Sequence, residues 1–582
     1  MSFLGIHFND LLVLAGYFSL ILYLGVFLGA KKTKNLGDFF VAGGQWGPLV
    51  SFVFVFASAI AGNEAVVVSG QSYTSGLSGV WYWWSFLFAT PVYYLFSIYY
   101  RRARVYNLAE FLEMRYSRGV AALYAIIATV VCVLFIGMFV LAIAKILAGF
   151  TELPLSVCVW SISGVVAAYV FSGGMMSALL TDLLQGVMCL LILGFVMLPF
   201  VWNASGGYET LRALPASTWD FTGEGMTMST VIALNVSALA GGIAAPWIYN
   251  WIAVSKDERT ATQCAWGHLW KRIVTLLFAI YGILFATLVP EMSDPELAWG
   301  IVMKQVLPIG VGVVGMMIAS FFAAAMSSAD TYATTSSALS IDYLYRKVVS
   351  PGKTPEHYLM AARCWAVASI FVAAMSTFWF DNIKDYVKLC MALLSFLGIP
   401  IYFGVVWRRA NTTGMWLSLI LGIASHQIIY RLMTGNGRYF ADADAAFATS
   451  VFVPTILSLA GMYFGCLLGA TQPKQQLDRF YATMNTPIGD EQRLVDAGIR
   501  LPAFVDAGLA DDLHERIDET ELNRITEVCS QDKWFGADSN IELSRSSFPG
   551  WYRRGFVMVA ASCVGLVVGT WLLTRILFVW NT

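Results

Sequence analysis

Residues 312–345 read GVVGMMIASFFAAAMSSADTYATTSSALSIDYLY, and this stretch decides the fold. Its first half is apolar and long enough to enter a bilayer, whereas small and hydroxylated residues fill its second half. Asp330 lies among them, and an acid at membrane depth is usually functional because its burial is costly. Ser327, Ser328 and Thr331 share one helical face with Asp330, and hard oxygen ligands suit a small hard cation. Serine and threonine are equally typical of close packing between membrane helices, so the stretch alone leaves both interpretations open.

Composition places the chain in a membrane. It is 58% hydrophobic and 13% charged, whereas about a quarter of the residues in soluble domains are charged. A formal net charge of −1 excludes the basic excess of nucleic-acid-binding proteins. The nine cysteines and five histidines lack the spacing of disulfide frameworks or zinc sites. The start carries no basic segment of a cleavable signal peptide. We therefore expect a multi-pass protein of the cell membrane that contacts the lipid bilayer and no nucleic acid.

Apolar runs of about 20 residues, the length that spans a bilayer, number about fourteen. They predict an all-α membrane protein with spans at 8–29, 47–71, 80–100, 120–149, 156–173, 178–201, 229–254, 270–290, 309–337, 358–380, 386–407, 413–433, 448–469 and 555–580.

Lysine and arginine in short loops set the orientation, because they favour the inner side. Arg101, Arg102 and Arg104 fall on the same side as Lys271 and Arg272 when the N-terminus is outside. The chain then divides into an N-terminal helix with the first inner loop, a transport core, two additional spans, a polar cytoplasmic segment and a last span, at 1–45, 46–411, 412–470, 471–553 and 554–582.

The polar segment 471–553 differs in composition from the rest and is rich in acidic residues. Its weak apolar periodicity favours a solvated linker with short helices. A regulatory role, in which the segment contacts a partner, or a packing role is the alternative.

Two spans are interrupted by small residues. The second span contains ASAIAGNE at 57–64, and the seventh contains LAGGIAAP at 239–246. Broken helices expose carbonyls and half-helix ends that bind ions and polar solutes in secondary transporters. The two breaks occupy corresponding positions in two sets of five helices, so the sequence predicts a five-plus-five inverted repeat. The alternative is a close helix crossing, which does not need the acid Glu64.

A second buried acid, Asp182, begins the sixth span beside Thr181 and Gln185. Together with Asp330 and the nearby hydroxyls it could ligate Na⁺. It could instead cap backbone groups near the inner interface.

Several motifs resemble the sodium:solute symporter family over about residues 8–470. They are KKTKNLGDFFVAGGQWGP at 31–48, SGQSYTSGL at 69–77, YNLAEFLEMRYS at 106–117, SGGMMSALLTDLLQG at 172–186, AVSKDERTA at 253–261, MSSADTYATTSSALSIDYLYR at 326–346 and GVVWRRANTTG at 404–414. The resemblance implies a LeuT-type core with an extra N-terminal helix and C-terminal helices. It also implies a Na⁺ site formed by carbonyls and hydroxyls of Ala57, Ile60, Ala324, Ser327 and Ser328. A second site, for Na⁺ or a proton, would use Asp182, Asp330 and Thr331.

The solute site is less defined. Positions that bind sugar hydroxyls in some members correspond here to Glu64 and Trp83, which argues against a sugar. Asn63, Tyr82 and Asn235 complete the candidate set. Aromatic rings beside an acid suit a cationic or zwitterionic solute, although such rings also form interfacial belts.

The sequence therefore predicts Na⁺-coupled symport of a small polar organic solute by alternating access. Proton-coupled symport is one alternative, and a solute sensor that signals through 471–553 is another. An enzyme is not expected, because no nucleophile–base pair, metal motif or phosphate loop stands out.

Overall fold

The computed structural model describes residues 2–3, 6–33, 35–380, 382–434, 444–499, 501 and 517–579. The protein is 82% helical. In chain order the α-helices are α1 (Phe8–Leu22), α2 (Ala30–Lys32), α3 (Leu36–Val41), α4 (Pro48–Ala59), α5 (Gly62–Ser75), α6 (Trp81–Trp84), α7 (Thr90–Ala103), α8 (Leu108–Arg115), α9 (Arg118–Thr151), α10 (Leu155–Leu191), α11 (Leu198–Ala204), α12 (Gly207–Ala213), α13 (Met228–Gly241), α14 (Pro246–Ala253), α15 (Glu258–Ala261), α16 (Gln263–Leu288), α17 (Ala298–Val306), α18 (Val313–Ser337), α19 (Pro355–Ser376), α20 (Ile383–Val406), α21 (Thr412–Thr434), α22 (Asp444–Leu468), α23 (Lys474–Asn485), α24 (Glu491–Asp496), α25 (Glu519–Gln531) and α26 (Gly550–Thr574).

Short elements complete the fold. Strands β1 (Ser2–Phe3) and β2 (Ile6–His7) pair antiparallel. The 3₁₀ turns are Ala42–Gly44, Gly76–Val80, Ala216–Trp219, Gly242–Ala244, Pro295–Leu297 and Thr377–Trp379, and the π-helical turns are Tyr23–Gly29, Ile192–Met197, Ala338–Val349 and Arg575–Val579.

The described residues contain 10 helices that are long and apolar enough to cross a membrane, or 12 when each of two bent pairs counts as one span. The expected count of fourteen is therefore not confirmed. The predicted span at 80–100 is divided between the short helix α6 and the 14-residue helix α7. The one at 156–173 yields a shorter apolar helix, Leu155–Phe171.

Both predicted interruptions are confirmed. Ile60 (φ −82°, ψ 88°) and Ala61 (φ −100°, ψ 142°) leave the helical conformation between α4 and α5, whose axes differ by 51°. The second break is the 3₁₀ turn Gly242–Ala244, followed by extended Ala245, and the bend there is 54°. Pro246 begins α14 because proline lacks the amide hydrogen that a first helical residue does not need.

A third break lies inside α10, at Gly174. Its φ of 58° and ψ of −166° are accessible to glycine alone. A Cβ atom at this position would lie 2.4 Å from Cδ2 of Phe39. The predicted spans at 156–173 and 178–201 therefore meet at a glycine that also allows α3 to approach α10.

The core helices form two groups. The broken-helix bundle comprises α4, α5, α7, α14 and α16, which pack on one another, and the scaffold comprises α9, α10, α18 and α19. The cation candidates lie where the first break of the bundle faces the scaffold helices α10 and α18.

Two cations that the sequence assigned to an inner loop lie elsewhere. Lys271 and Arg272 are each only 1% exposed and belong to α16, inside an apolar span. Lys271 pairs with Glu64, and Arg272 donates a 2.7 Å hydrogen bond to the carbonyl of Trp83. They are therefore internal charges, and counting them as loop residues was wrong.

The segment 471–553 is more ordered than its interpretation as a solvated linker with short helices predicts. Helices α23–α25 are present, as predicted, and Ala482, Leu494, Leu522 and Ile525 form a small apolar core. Helix α23 packs against α7 and α8. The interpretation as a solvated linker is thus wrong for the described part of this segment, because the apolar residues that its sequence spaces irregularly are buried by tertiary contacts.

Candidate cation and solute sites

The end of α4 and the middle of α18 meet at the first break. The hydroxyl of Ser328 donates to the carbonyls of Ser58 (3.1 Å) and Ala324 (3.2 Å). The hydroxyl of Ser327 donates to the same Ala324 carbonyl at 3.2 Å. The Ala57 carbonyl accepts from the Ile60 amide at 3.0 Å, which closes the last turn of α4.

All five candidates of the first cation site are buried: Ala57, Ile60, Ala324, Ser327 and Ser328. They supply neutral carbonyl and hydroxyl oxygens, and oxygens of this kind are the ligands that hard monovalent and divalent cations prefer over nitrogen or sulfur. The structure thus brings together, at a helix break, the residues that sequence and family resemblance grouped.

A second polar cluster lies beside this junction. Asp182 accepts a hydrogen bond from Ser58, and Asp330 accepts one from the Tyr169 hydroxyl at 2.9 Å. Tyr169 also contacts the Thr181 hydroxyl at 2.5 Å. In each carboxylate, one buried oxygen has no hydrogen-bond partner among the described residues. The Thr331 hydroxyl donates to the Ser327 carbonyl of its own helix at 3.4 Å.

The charge of this second cluster needs compensation. Asp182 and Asp330 are 0% and 3% exposed, and in the part of the chain that the structure describes no lysine or arginine pairs with either. Two ionised carboxylates at this depth would cost several kcal/mol each without a counter-charge. The cluster is therefore suited to a second Na⁺ or to a proton.

Among the candidate solute residues, Asn63 has the side chain with the most unused hydrogen-bonding capacity. It is fully buried, and neither its amide nitrogen nor its amide oxygen has a partner among the described residues. Such a group costs about 1–3 kcal/mol unless something bonds to it. Helical periodicity places Asn63 on the same face of α5 as Gly70 and Thr74, and both of these line a cavity. The orientation predicted from the loop charges would place this cavity outside, and it is called the outer cavity below.

This outer cavity has a volume of about 640 Å³. Two of its acids, Asp294 and Glu296, pair with Lys145 at 2.9 and 2.5 Å. Burial raises the pKa of Glu296, although Lys145 opposes the shift. Its lining comprises Gly70, Gln71, Thr74, Ser75, Tyr82, Glu224, Gly225, Ser293, Asp294, Pro295, Glu296, Asn382 and Lys384. Tyr82 is the one predicted solute residue on this list.

Glu64 and Trp83 gather around Lys271. The carboxylate of Glu64 contacts the Lys271 ammonium and the Thr275 hydroxyl. The ammonium also lies 6.0 Å from the centroid of the Trp83 ring. The sequence suggested an acid without a partner at this position. Glu64 is instead one member of an internal ion pair with Lys271, which presents both signs of charge next to Asn63.

Asn235 stands apart from this group. Its amide nitrogen donates to the Val231 carbonyl of its own helix at 2.8 Å, and its side chain is half-buried. The structure gives no contact that joins it to Lys271.

Sequence reasoning missed several members of these clusters: Ser58, Tyr169, Lys271 and Thr275. Ser58 falls within the interrupted motif and carried a signal. Tyr169 lies in the preceding span, so only the fold around Gly174 brings it to Asp330.

The chain is similar in sequence to known membrane transporters. The profile of the sodium:solute symporter family matches residues 39–422. The chain is 23% identical over 443 residues to the sodium/sialic acid symporter NanT of Aliivibrio fischeri, covering 71% of this chain and 86% of that protein. It is also 23% identical over 468 residues to the high-affinity proline transporter PutP of Bacillus subtilis, covering 76% and 96%.

Solved structures share the fold. A substrate-bound, outward-open Na⁺-coupled sialic acid symporter superposes with a TM-score of 0.65 at 18% identity, covering 80% of this chain and 99% of that one. The transporter Mhp1 in a closed conformation gives a TM-score of 0.51 at 14% identity, covering 75% and 96%. The fold is therefore of the LeuT type.

Proposed function

Because the chain belongs to the sodium:solute symporter family, we propose that it couples Na⁺ entry to the uptake of a small polar organic solute by alternating access. It is a multi-pass membrane transporter and not an enzyme. Sialic acid and proline symporters among its relatives set the range of solutes. We further propose that it lies in the cell membrane with its N-terminus outside.

The junction of α4 and α18 carries the sodium proposal. Na⁺ would take the carbonyls of Ala57, Ile60 and Ala324 and the hydroxyls of Ser327 and Ser328. Both serine hydroxyls now donate to carbonyls at 3.1–3.2 Å, so a cation would replace these bonds and draw α4 toward α18. Sodium must bind one orientation of the transporter better than the other to drive transport, and a site shared by bundle and scaffold meets this requirement.

The second cluster would hold a second Na⁺ or a proton. Asp182 and Asp330 supply two buried carboxylates, and Ser58 links Asp182 to the end of α4. Thr331, through the Ser327 carbonyl, connects the two sites. Proton coupling is the second candidate function, since the same two unpaired carboxylate oxygens would serve it.

The solute would bind between Asn63 and the cavity floor at Tyr82. The ion pair of Glu64 and Lys271 offers an acceptor for an ammonium and a donor for a carboxylate, so a zwitterion can exchange contacts with it without leaving a buried charge unpaired. This chemistry favours an amino-acid-like solute. Trp83 would pack beside the solute. Asn235 stays among the candidate solute residues only because of its position in the outer half of α13.

A solute screen in sodium tests the proposal. Purified protein in 100 mM NaCl or KCl is melted with amino acids, sugars and sialic acid. A zwitterion should raise the melting temperature only in Na⁺, and Asn63→Ala should remove that rise while Asn235→Ala keeps it. Stabilisation by neutral sugars alone, or by zwitterions equally in both salts, would contradict the proposed site.

The sensor alternative receives no support from these findings. The described part of 471–553 contacts the transporter itself, and a regulatory partner is not needed to explain it.

A further inference from the structure

The folded part of the polar segment, residues 474–499 and 517–549, is named the strap here. It lies at the end of the molecule opposite the outer cavity. Two helices establish this: α7 follows Tyr82 of the cavity wall and ends at Arg102 and Arg104, which contact the strap. Helix α20 begins at the cavity residue Lys384, and the residues after its end pair with the strap through a bridge between Trp407 and Ile541.

One group of contacts joins the strap to the broken-helix bundle. Arg104, which is 1% exposed, donates to Glu491 at 3.0 Å and to the Pro487 carbonyl at 2.7 Å. Arg102 pairs with Glu258 at 2.6 Å and donates to the Met484 carbonyl at 3.1 Å. Glu258 in turn accepts from the Ile488 amide at 3.1 Å. The strap thus supplies the carboxylate that compensates Arg104 and a backbone acceptor for Arg102, whose own charge is compensated by Glu258.

A second group joins the strap to the other side of the core. Gln476 donates to the Tyr116 carbonyl at 2.9 Å, just after α8, and Tyr481 donates to the Gly404 carbonyl at 3.0 Å. Arg408 pairs with Asp478 and, at 3.2 Å, with Glu542. Helices α8 and α20 both pack on scaffold helix α9. One compact segment therefore bridges two bodies that must move apart when this end opens.

We propose that the strap is a built-in clasp that holds this end of the transporter closed and so favours the state in which the outer cavity is open. Solute release requires the bundle end of the clasp, at Arg102 and Arg104, to detach. The clasp acts as a positioning device, because its residues contact neither cation nor solute. A bridge can bias the equilibrium only if it stabilises one state more than the other, and a contact that breaks on opening does so.

Distances between spin labels test this. Lys256→Cys, on the bundle, and Lys353→Cys, before scaffold helix α19, are both exposed at the strap end. Cys364→Ser and Cys529→Ser remove the two cysteines that are not buried, since the other seven are. Glu491→Gln in this background keeps the shape of the side chain and removes the charge that faces Arg104.

Glu491→Gln should raise the ratio of long to short label distances about tenfold, which corresponds to about 1.4 kcal/mol. Glu521→Gln is the matched control, because among the described residues Glu521 forms an ion pair only with Arg524 of its own helix, and it should leave the ratio unchanged. If the Glu491→Gln variant is too unstable to measure, Glu258→Gln weakens the same attachment by removing the charge on the bundle side. Equal distance distributions in wild type, Glu491→Gln and Glu258→Gln would overturn the clasp.

The inference rests on the proposed alternating access, yet its readout is separate. The distances report conformation and need no solute. Absence of sodium-driven uptake by the wild-type protein would refute the proposed function and would leave the label distances unaffected. Label distances that stay the same in the variants, together with intact uptake, would refute only the clasp.

Discussion

Replacing Ser328 by alanine is the sharpest single perturbation of the sodium site. Without sodium the change removes one hydroxyl that bonds to Ser58 and Ala324, which should cost about 1 kcal/mol of stability. In sodium it also removes one of five proposed ligands. We take the contact between Na⁺ and the hydroxyl oxygen to contribute as much as a hydrogen bond to a charged group, about 1.5–3 kcal/mol. The dissociation constant for Na⁺ should then rise at least about tenfold.

The consequence can be read from melting curves. Sodium at a hundred times its dissociation constant stabilises the native state by about 2.7 kcal/mol. A tenfold weaker site at the same concentration leaves about 1.4 kcal/mol, since the stabilisation follows the logarithm of one plus the ratio of sodium concentration to dissociation constant. The assay is the melting temperature of detergent-purified protein over a NaCl series, with KCl holding the ionic strength constant.

Ser337→Ala is the matched control. Ser337 lies on the same helix, is equally buried, and donates to the carbonyls of Ala333 (2.9 Å) and Ala362 (3.1 Å). It should lose the same 1 kcal/mol or so without sodium but keep the full sodium response. If Ser328→Ala and Ser337→Ala respond to sodium alike, the reasoning about the α4–α18 junction is refuted.

Three further perturbations probe other parts of the structure. Lys271→Met leaves Glu64 buried without its cation and should destabilise by about 3–5 kcal/mol, whereas the double variant with Glu64→Gln should recover much of the loss; equal melting temperatures for single and double variants would contradict the pairing. Gly174→Ala places a Cβ against Phe39 at a glycine-only conformation and should cost at least about 1–3 kcal/mol, while Gly164→Ala on the same helix, with nothing within 4 Å, should cost nothing; a harmless Gly174→Ala would show that the kink is absent. Burial raises the pKa of Glu491, but the Gly489 amide and the Arg104 guanidinium outweigh it and hold that pKa below its ordinary value of 4.5. Since a lowered pKa stabilises the fold above the ordinary value and the benefit is lost as pH falls through the lowered one, proteolytic resistance of the strap should be constant from pH 7 to 5, fall below 4.5, and show a weaker fall in Glu491→Gln.

Local sequence signals located the helix breaks and the cation cluster. Small residues around Ile60 and the Gly241–Gly242 pair fit either a break or a close helix crossing, and the neighbouring Glu64 and Pro246 favour the break. The hydroxyls of Ser327 and Ser328 stand out because polar groups are costly at that depth.

Tertiary contacts decided what the sequence could not. Lys271 resembles a loop cation until the fold shows that Glu64, 207 residues earlier, neutralises it. Tyr169 reaches Asp330 only because Gly174 turns the chain back. The strap has little apolar periodicity of its own, and its order comes from its small buried core and from contacts with buried arginines of distant helices, which no local pattern records.

Sodium dependence of solute flux is the most direct test of the symport mechanism. Protein reconstituted in proteoliposomes is given an inward Na⁺ gradient, or an inward proton gradient without Na⁺, and uptake of the zwitterion found in the melting screen is followed. Accumulation driven by the Na⁺ gradient, and lost when choline replaces Na⁺, is the predicted result. Accumulation driven by the proton gradient alone, and abolished by Asp182→Asn, would contradict sodium coupling and establish the proton-coupled alternative.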